Sequence, residues 1–401
     1  MVLVKPNSAQ IAKIKVIGVG GAGGNAVNFM ITSDQIAGVE FIAINTDAQA
    51  LLVSQAQIKV QIGEKLTRGL GAGGNPKVGR KAAEESQEKL KDLIKGADMI
   101  FITGGEGGGT CSGAAEIVAQ IAREELGILT VAVVTKPFLF EGTRRMVIAE
   151  EAIEKLKEKV DTLIIVPNQK LMEIANPKTT FLEAFQMSNS VLSQGVRAIS
   201  ELITTAGLIN LDFADIKTVM KNAGSALLGV GYAEGEDRAS KAVIEAIQSP
   251  LLTVTIKGAR GVILNITGPP DLTMTEIEKS AKNISDQVGG DANIIFGAKI
   301  DENIKGVRVT VIATGFDDNL TALSGLVRDD FSAEIKSPQQ EDNKISSSSL
   351  GKKKKKKKKG ILNRLKKVRK EAERVMANEK LPEGMEIVNE LDIPTFLRKQ
   401  R

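Results

Sequence analysis

Three glycine clusters, set between short apolar runs and stretches of helical periodicity, constrain this 401-residue chain more than any other feature. The apolar runs 14–18 (IKVIG), 41–45 (FIAIN), 99–103 (MIFIT), 129–135 (LTVAVVT) and 162–167 (TLIIVP) are β-branched and do not alternate with polar residues. That pattern marks strands buried on both faces of a parallel sheet. Helical stretches lie between them, among them residues 79–95 ending at Gly96 and residues 113–126 ending at Gly127. A doubly wound α/β domain follows, whose ligands bind at the carboxyl ends of the strands.

The first cluster, residues 18–25 (GVGGAGGN), follows the first run and precedes helical sequence from Ala26. Glycine permits a tight turn and close backbone approach, and free N–H groups at a helix start attract phosphate. Alone, this cluster fits the GxGxxG of an NAD site, or a strand–helix turn with no ligand. The second cluster, residues 104–113 (GGEGGGTCSG), adds two hydroxyls and a following helix, a nest large enough for several phosphate oxygens. A third, residues 69–76 (GLGAGGNP), precedes the helix at Gly79 and is expected to close over a terminal phosphate. One pyrophosphate does not need three loops, so a nucleoside triphosphate is favoured. No GxxxxGK[ST] is present, hence no P-loop lysine, and Mg2+ is expected to neutralise the phosphates.

Composition removes other chemistries. The chain has no His, which excludes Ser-His-Asp and Cys-His nucleophiles, His-ligated metals and imidazole acid/base catalysis. Cys111 is the only cysteine, so an internal disulfide and a thiolate metal cage are excluded and a reducing cytoplasm fits. No apolar run reaches about 18 residues and residues 1–10 lack a signal-peptide core, so a chain neither secreted nor membrane-spanning is expected. The net charge of +5 is uneven: residues 352–374 hold 14 Lys/Arg against Glu371 and Glu373, leaving the rest of the chain acidic. The basic balance therefore belongs to one segment, and sequence-specific nucleic-acid binding by the main body is not expected.

The expected organisation is an N-terminal tail (1–10), a nucleotide-binding domain (11–178), a long connecting helix (179–203), an α+β domain (204–317), a disordered basic linker (318–386) with a helix at 361–377, and a terminal peptide (387–401). In the second domain, strands are expected at 251–256, 261–267, 292–298 and 307–314, with a helix at 275–288. The linker carries Ser346 to Ser349 and eight successive lysines with almost no apolar content. Its basic amphipathic helix makes anionic lipid, nucleic acid and the acidic body of a neighbouring copy candidate partners, beside the plainer reading of a solvated linker with a short helix.

The ordered series GVGGAGGNAVN, AINTDAQAL, GLGAGGNPKVGRKAAEE, GGGTCSGAA, FEGTRRM, PNQKL and LINLDFAD resembles FtsZ, the family of bacterial tubulin-like cell-division GTPases, over residues 11–317. The terminal DIPTFLRKQR resembles that family's peptide for FtsA and other membrane tethers.

The resemblance implies a Rossmann-like GTP-binding domain joined by a long central helix to an α+β C-terminal domain. It implies a cytoplasmic GTPase that polymerises head to tail into the ring at the division site, on the inner face of the membrane. On this reading GTP or GDP with Mg2+ is held by Gly20, Gly21, Ala22, Gly23, Gly24 and Asn25, by Asn45 and Asp47, by Ala72, Gly73, Gly74 and Asn75, and by Gly105, Gly107, Gly108, Gly109, Thr110, Cys111, Ser112 and Gly113. Glu141 and Arg145 would meet ribose and nearby phosphate, while Asn168, Phe185 and Asn189 would frame the guanine. Phe185 offers a stacking face and Asn168 amide hydrogen bonds to a base edge. Asn210, Asp212 and Asp215 would enter the site of the next subunit, where the two carboxylates polarise the attacking water and help place the cation. Helix capping by Asp212 is the alternative for that residue. Asp392, Ile393, Pro394, Phe396, Leu397 and Arg398 would bind the tether.

Five residues depart from the family pattern. Glu106 stands where Met is usual, Cys111 for Gly, Ser112 for Thr, Glu116 for Pro and Asn189 for the Asp that recognises guanine. An inward Glu106 would repel a triphosphate. Cys111 would strain a left-handed backbone and could make turnover sensitive to alkylation. Asn189 has one acceptor oxygen where a carboxylate has two, which predicts weaker selectivity for GTP over ATP. Two rival functions remain from the residues: an NAD-dependent oxidoreductase, and a nucleotide-binding filament scaffold with impaired hydrolysis.

Overall fold

In this computed structural model, the residues described are 12–176, 178–204, 212–249, 251–252, 255–289 and 292–316. The expectations for Asn210, the terminal peptide, the linker and its helix lie outside them.

The first half alternates strands and helices: β1 (Ile14–Val19), α1 (Gly20–Thr32), β2 (Val39–Asn45), α2 (Ala48–Leu52), β3 (Ile58–Gln61), α3 (Glu64–Thr67), α4 (Pro76–Glu85), α5 (Gln87–Ile94), β4 (Met99–Gly105), α6 (Thr110–Gln120), β5 (Leu129–Lys136), α7 (Thr143–Lys159), β6 (Thr162–Pro167) and α8 (Asn168–Ile174). The long α9 (Phe181–Thr204) follows. Then come α10 (Phe213–Met220), β7 (Gly224–Ala233), α11 (Arg238–Ile247), β8 (Gly261–Gly268), α12 (Met274–Val288), β9 (Asn293–Ile300) and β10 (Val307–Thr314).

All ten strands belong to one sheet in the order β3-β2-β1-β4-β5-β6-β7-β10-β8-β9. The six strands from β3 to β6 are parallel, and β7 extends them by pairing Thr162 with Gly224 through Ile164 with Ala226. β10 then runs antiparallel to both β7 and β8. The two expected domains therefore share a continuous ladder through β7.

The non-alternating strands bury both faces. Ile14 and Val16 of β1 join a core with Ala26, Val27 and Met30 of α1 and Val191, Leu192, Val196 and Ile199 of α9. Ile17 and Val19 face the opposite core, formed with Ala82 and Ala83 of α4, Leu90 of α5 and Ala114, Ala115 and Val118 of α6. A third core packs α11 and α12 on β8 and β10. Burying each such aliphatic side chain contributes about 1.5–3 kcal/mol, which fixes the sheet and the helix starts that border the site.

Several expectations change. The helix expected from Ala26 begins at Gly20, inside the first glycine cluster. The helix expected over 79–95 is two, α4 and α5, meeting at Ser86. The strand expected at 251–256 is absent among the described residues of that span; Leu251, Leu252 and Ile256 are buried, so their apolarity reflects core packing. β3 and β7 were not expected. β7 is obscured in the sequence by Gly229 and Gly231, where a Cβ would come within 2.2 Å and 2.1 Å of α11 carbonyls.

Candidate functional site

In the strand order β3-β2-β1-β4-β5-β6 the direction of progression reverses between β1 and β4, the point where doubly wound sheets open a crevice at their carboxyl ends. Both larger glycine clusters leave the sheet there. They border a cleft of about 450 Å³, lined by Val19, Gly20, Gly21, Ala22 and Asn25 on one side and Gly105 to Cys111 on the other. Thr135 closes it at the end of β5, Pro137, Glu141 and Arg145 beyond that strand, Asn168 beyond β6, and Phe185, Ser188, Asn189 and Leu192 from α9.

Two helices begin at this cleft. α1 starts at Gly20 and α6 at Thr110, and neither has a side-chain N-cap, so their first-turn N–H groups are presented together to an anion. The hydroxyls of Thr110 and Thr46 meet at 2.8 Å, tying the start of α6 to the end of β2. Ser112 Oγ accepts the Gly107 N–H at 2.9 Å, so this hydroxyl holds the second loop in shape and does not line the cleft.

The base end is set by α9. Ser188 Oγ donates to Asn168 Oδ1 at 2.8 Å, which fixes the buried amide and leaves its N–H groups as what it offers a ligand. Phe185 stands edge-on to Phe138 and Phe181, with centroids 5.3 Å and 4.9 Å away. Glu141 accepts the Phe138 N–H at 2.9 Å and pairs with Arg145 at 2.6 Å, holding the guanidinium at the mouth.

Some expected ligands do other work. Gly23 is required by packing, since a Cβ would lie 2.5 Å from Thr103 O. Gly113 is required by the crossing of α4 and α6, where a Cβ would lie 2.0 Å from Pro76 O. The third glycine stretch does not line the cleft. Ala72 and Asn75 back Gly109 from behind, Asn75 caps α4 through Lys77 N–H, and Gly73 and Gly74 are exposed turn residues with positive φ. Asp47 caps α2. Asn45 and Gly24 border a smaller adjoining cleft of about 200 Å³ that shares Gly20, Gly21 and Asn25.

The departures resolve clearly. Glu106 points inward, buried in the second loop; Oε1 accepts the Cys111 thiol at 3.4 Å and Oε2 has no partner. Burial pushes its carboxyl up to about 7, against the opposing pull of the Ser112 and Cys111 hydrogen bonds. Cys111 sits inside α6 and not in the left-handed region, so it carries no such strain. Burial, reinforced by the charge of Glu106, pushes its thiol well above the usual range, so the expected alkylation sensitivity gives way to an inert thiol. Glu116 pairs with Arg80 of α4 at 3.2 Å.

Asp212 and Asp215 are nowhere near this cleft. Thr204, the last residue of α9, packs on Gly38 just before β2. Met220, the last of α10, accepts the Thr162 hydroxyl at the start of β6. The segment carrying the two aspartates thus lies at the amino edge of the sheet. Asp212 makes no side-chain cap, so the capping alternative fails, and both carboxylates are exposed.

Sequence reasoning missed Val19, Thr135, Pro137, Ser188 and Leu192 in the cleft wall. The signal for Ser188 and Leu192 was present, because positions 185, 188, 189 and 192 share a helix face. A wider cleft of about 700 Å³ between α9 and α11 has Met187, Val191, Val230 and Ile244 in its walls but no helix N-terminus at an array of free N–H groups.

Residues 13–176 match the Tubulin/FtsZ family GTPase domain, and residues 224–317 match the FtsZ family C-terminal domain. Among solved structures, the FtsZ dimer of M. jannaschii, empty, is 49% identical with a TM-score of 0.73, covering 76% of this chain and 88% of that one. A point mutant of M. jannaschii FtsZ gives the same identity and TM-score over 76% of this chain and 91% of its own. CetZ2 from Haloferax volcanii, a GTPgS-bound protofilament, shares the fold at 20% identity, with a TM-score of 0.66 over 80% of this chain and 98% of that one. With two of its glycine loops converging on one cleft and about half its residues matching over three quarters of its length, this chain belongs to the FtsZ family and carries a tubulin/FtsZ-type GTPase domain.

Proposed function

We propose that this chain binds GTP in the 450 Å³ cleft and hydrolyses it only when a second copy supplies Asn210, Asp212 and Asp215. The observation that carries this reading is the placement of the cleft and the aspartates at opposite edges of one sheet. From Asn189 at the cleft to Thr204 is 15 residues of α9, about 22 Å of helix at 1.5 Å per residue. One chain cannot close that gap on itself. A head-to-tail contact brings the amino edge of one copy to the carboxyl edge of the next, and because it does not close on itself it generates filaments. The M. jannaschii relative, described as a dimer, is consistent with self-association.

In this reading the backbone N–H groups of Gly20 to Ala22 and of Gly108 to Thr110 cradle the phosphates, while the Gly107 N–H is held by Ser112 Oγ. Arg145, held by Glu141, adds positive charge at the mouth; Phe185 packs on the base and Asn168 donates to its edge. The neighbour's carboxylates orient the water and take its proton. Among the described residues no group of three or more Cys, Asp or Glu side chains could hold a metal ion. Mg2+ would supply charge neutralisation where the chain has no P-loop lysine, with the neighbour's Asp212 and Asp215 helping to place it.

The cellular role is assembly of the cytokinetic ring at the division site on the cytoplasmic face of the membrane, with the terminal peptide around Ile393, Phe396 and Leu397 binding an FtsA-like tether and other division proteins and the basic tail contacting anionic lipid. Among the described residues no helix is long and apolar enough to cross a membrane.

The test is phosphate release from GTP with Mg2+, measured against protein concentration beside right-angle light scattering. Turnover that appears only above a threshold concentration, together with scattering, supports the shared site. Turnover proportional to concentration without scattering overturns it. Scattering without phosphate release favours the second reading, a nucleotide-binding scaffold, which the buried carboxyl of Glu106 in the phosphate loop keeps in view.

A further inference from the structure

The second glycine loop holds a feature that nucleotide binding alone does not call for. Glu106, whose N–H is bonded to Thr135 O at 3.0 Å, lines the cleft with a buried carboxyl that no Lys or Arg reaches within ion-pair distance among the described residues. Its Oε1 takes the Cys111 thiol and its Oε2 is buried without a partner.

The groups facing it leave that oxygen uncompensated. α6 packs Cys111 and Ser112 on the carboxyl, the Ser112 hydroxyl pulling on it beside the thiol, and the rest of the cleft wall includes the uncharged Thr135 at the end of β5, Asn25 of α1 and Ser188 and Asn189 of α9. Beyond β5, Arg145 and Glu141 are closed on one another at 2.6 Å. Cys111 is the one other ionisable group bonded to the carboxyl, and its thiol stays protonated.

We propose that Glu106 is a positioning residue of the phosphate loop that works as a neutral acid, so that binding of a nucleotide's phosphates takes up one proton from solvent onto Glu106. The proposal rests on the reading of this cleft as a nucleoside-phosphate site. A carboxylate and a terminal phosphate in the same nest repel each other, and a low dielectric magnifies the repulsion. Protonation at the buried, partnerless Oε2 removes that repulsion, while Oε1 keeps the thiol.

The sign follows from linkage. The bound state holds one proton more than the free state once pH exceeds the free-state value of about 7. Affinity is then flat in pH below 7 and falls roughly tenfold per unit above it, until the bound form also ionises.

The test is the affinity of the full chain for GDP, without hydrolysis, at pH 6.5, 7.5 and 8.5, compared with Glu106→Gln and Glu106→Met. Titration calorimetry in two buffers of different ionisation heat counts the protons. The expected result is a loss of roughly tenfold between pH 7.5 and 8.5 with near one proton taken up in the natural protein, and a nearly flat profile in both variants, which share the ligand's own titration. A natural protein as flat as Glu106→Gln, or variants with an unchanged slope, overturns the proposal while binding at pH 6.5 leaves the nucleotide reading standing. No GDP binding at pH 6.5 overturns both.

Discussion

The two edges of the parallel sheet use polar groups in opposite ways. At the amino edge, buried Asp161 accepts the N–H groups of Thr130 at 2.9 Å and Asn222 at 3.3 Å and meets Arg123 at 3.3 Å, a satisfied knot that ties β5, β6 and the turn before β7 together. At the carboxyl edge the polar groups are backbone N–H at two helix starts, with Thr103 Oγ1 and Glu106 Oε2 buried and partnerless. One edge is complete as folded. The other is built around something the chain does not itself contain, and the exposed aspartates sit on the complete edge.

This contrast can be broken or sharpened by substitution. The largest expected effect is on the knot: Asp161→Ala leaves the buried Thr130 N–H without an acceptor and takes the carboxylate from Arg123, which keeps its bonds to Glu158 O and Asn222 Oδ1, and should cost about 3 kcal/mol in urea unfolding, with GDP affinity of the folded protein unchanged. Asp212→Ala should do the reverse, lowering GTP turnover at least roughly a hundredfold while leaving unfolding within about 0.5 kcal/mol, because its exposed side chain contributes nothing to the fold.

Glu106→Gln probes the incomplete edge. A carboxyl raised from 4.5 to about 7 by burial is ionised in the unfolded chain before it ionises in the folded one, so stability falls as pH rises from about 4.5 to 7 and then levels off. Removing that charge should stabilise the protein by on the order of 2–3 kcal/mol at pH 8 and by little at pH 5, read as a melting-temperature difference between the two conditions. The smallest expected effect is Asn189→Asp, which should raise the GTP-to-ATP affinity ratio roughly tenfold by restoring a two-oxygen acceptor. An unchanged ratio in a competition assay would remove residue 189 from base recognition.

Strands buried on both faces left a plain mark, and the five apolar runs of the first half all became strands within about two residues of their expected ends. Glycine left an ambiguous one. In sequence, Gly20, Gly23 and Gly113 are equivalent members of phosphate loops; in space only Gly20 faces the cleft, while Gly23 and Gly113 admit a neighbouring backbone. A glycine needed for a ligand and one needed for a close crossing look the same in one dimension. Glu106 was visible as a departure, yet its direction depends on the thiol and hydroxyl that α6 folds against it. β7 was hidden because two of its residues are glycines under α11.

The central claim is that binding and hydrolysis belong to different copies, and mixing two defective proteins tests it most directly. Gly108→Asp places a carboxylate in open space inside the phosphate nest and should abolish nucleotide binding without disturbing the fold, while its Asp212 stays intact. Asp212→Ala keeps the cleft and lacks the carboxylate. Each alone should be nearly inactive; at a 1:1 ratio about one contact in four pairs an intact cleft with an intact aspartate, and GTP turnover should return to as much as roughly a quarter of the natural rate. A mixture no more active than the average of its parts, at concentrations where light scattering shows co-assembly, would contradict the shared site.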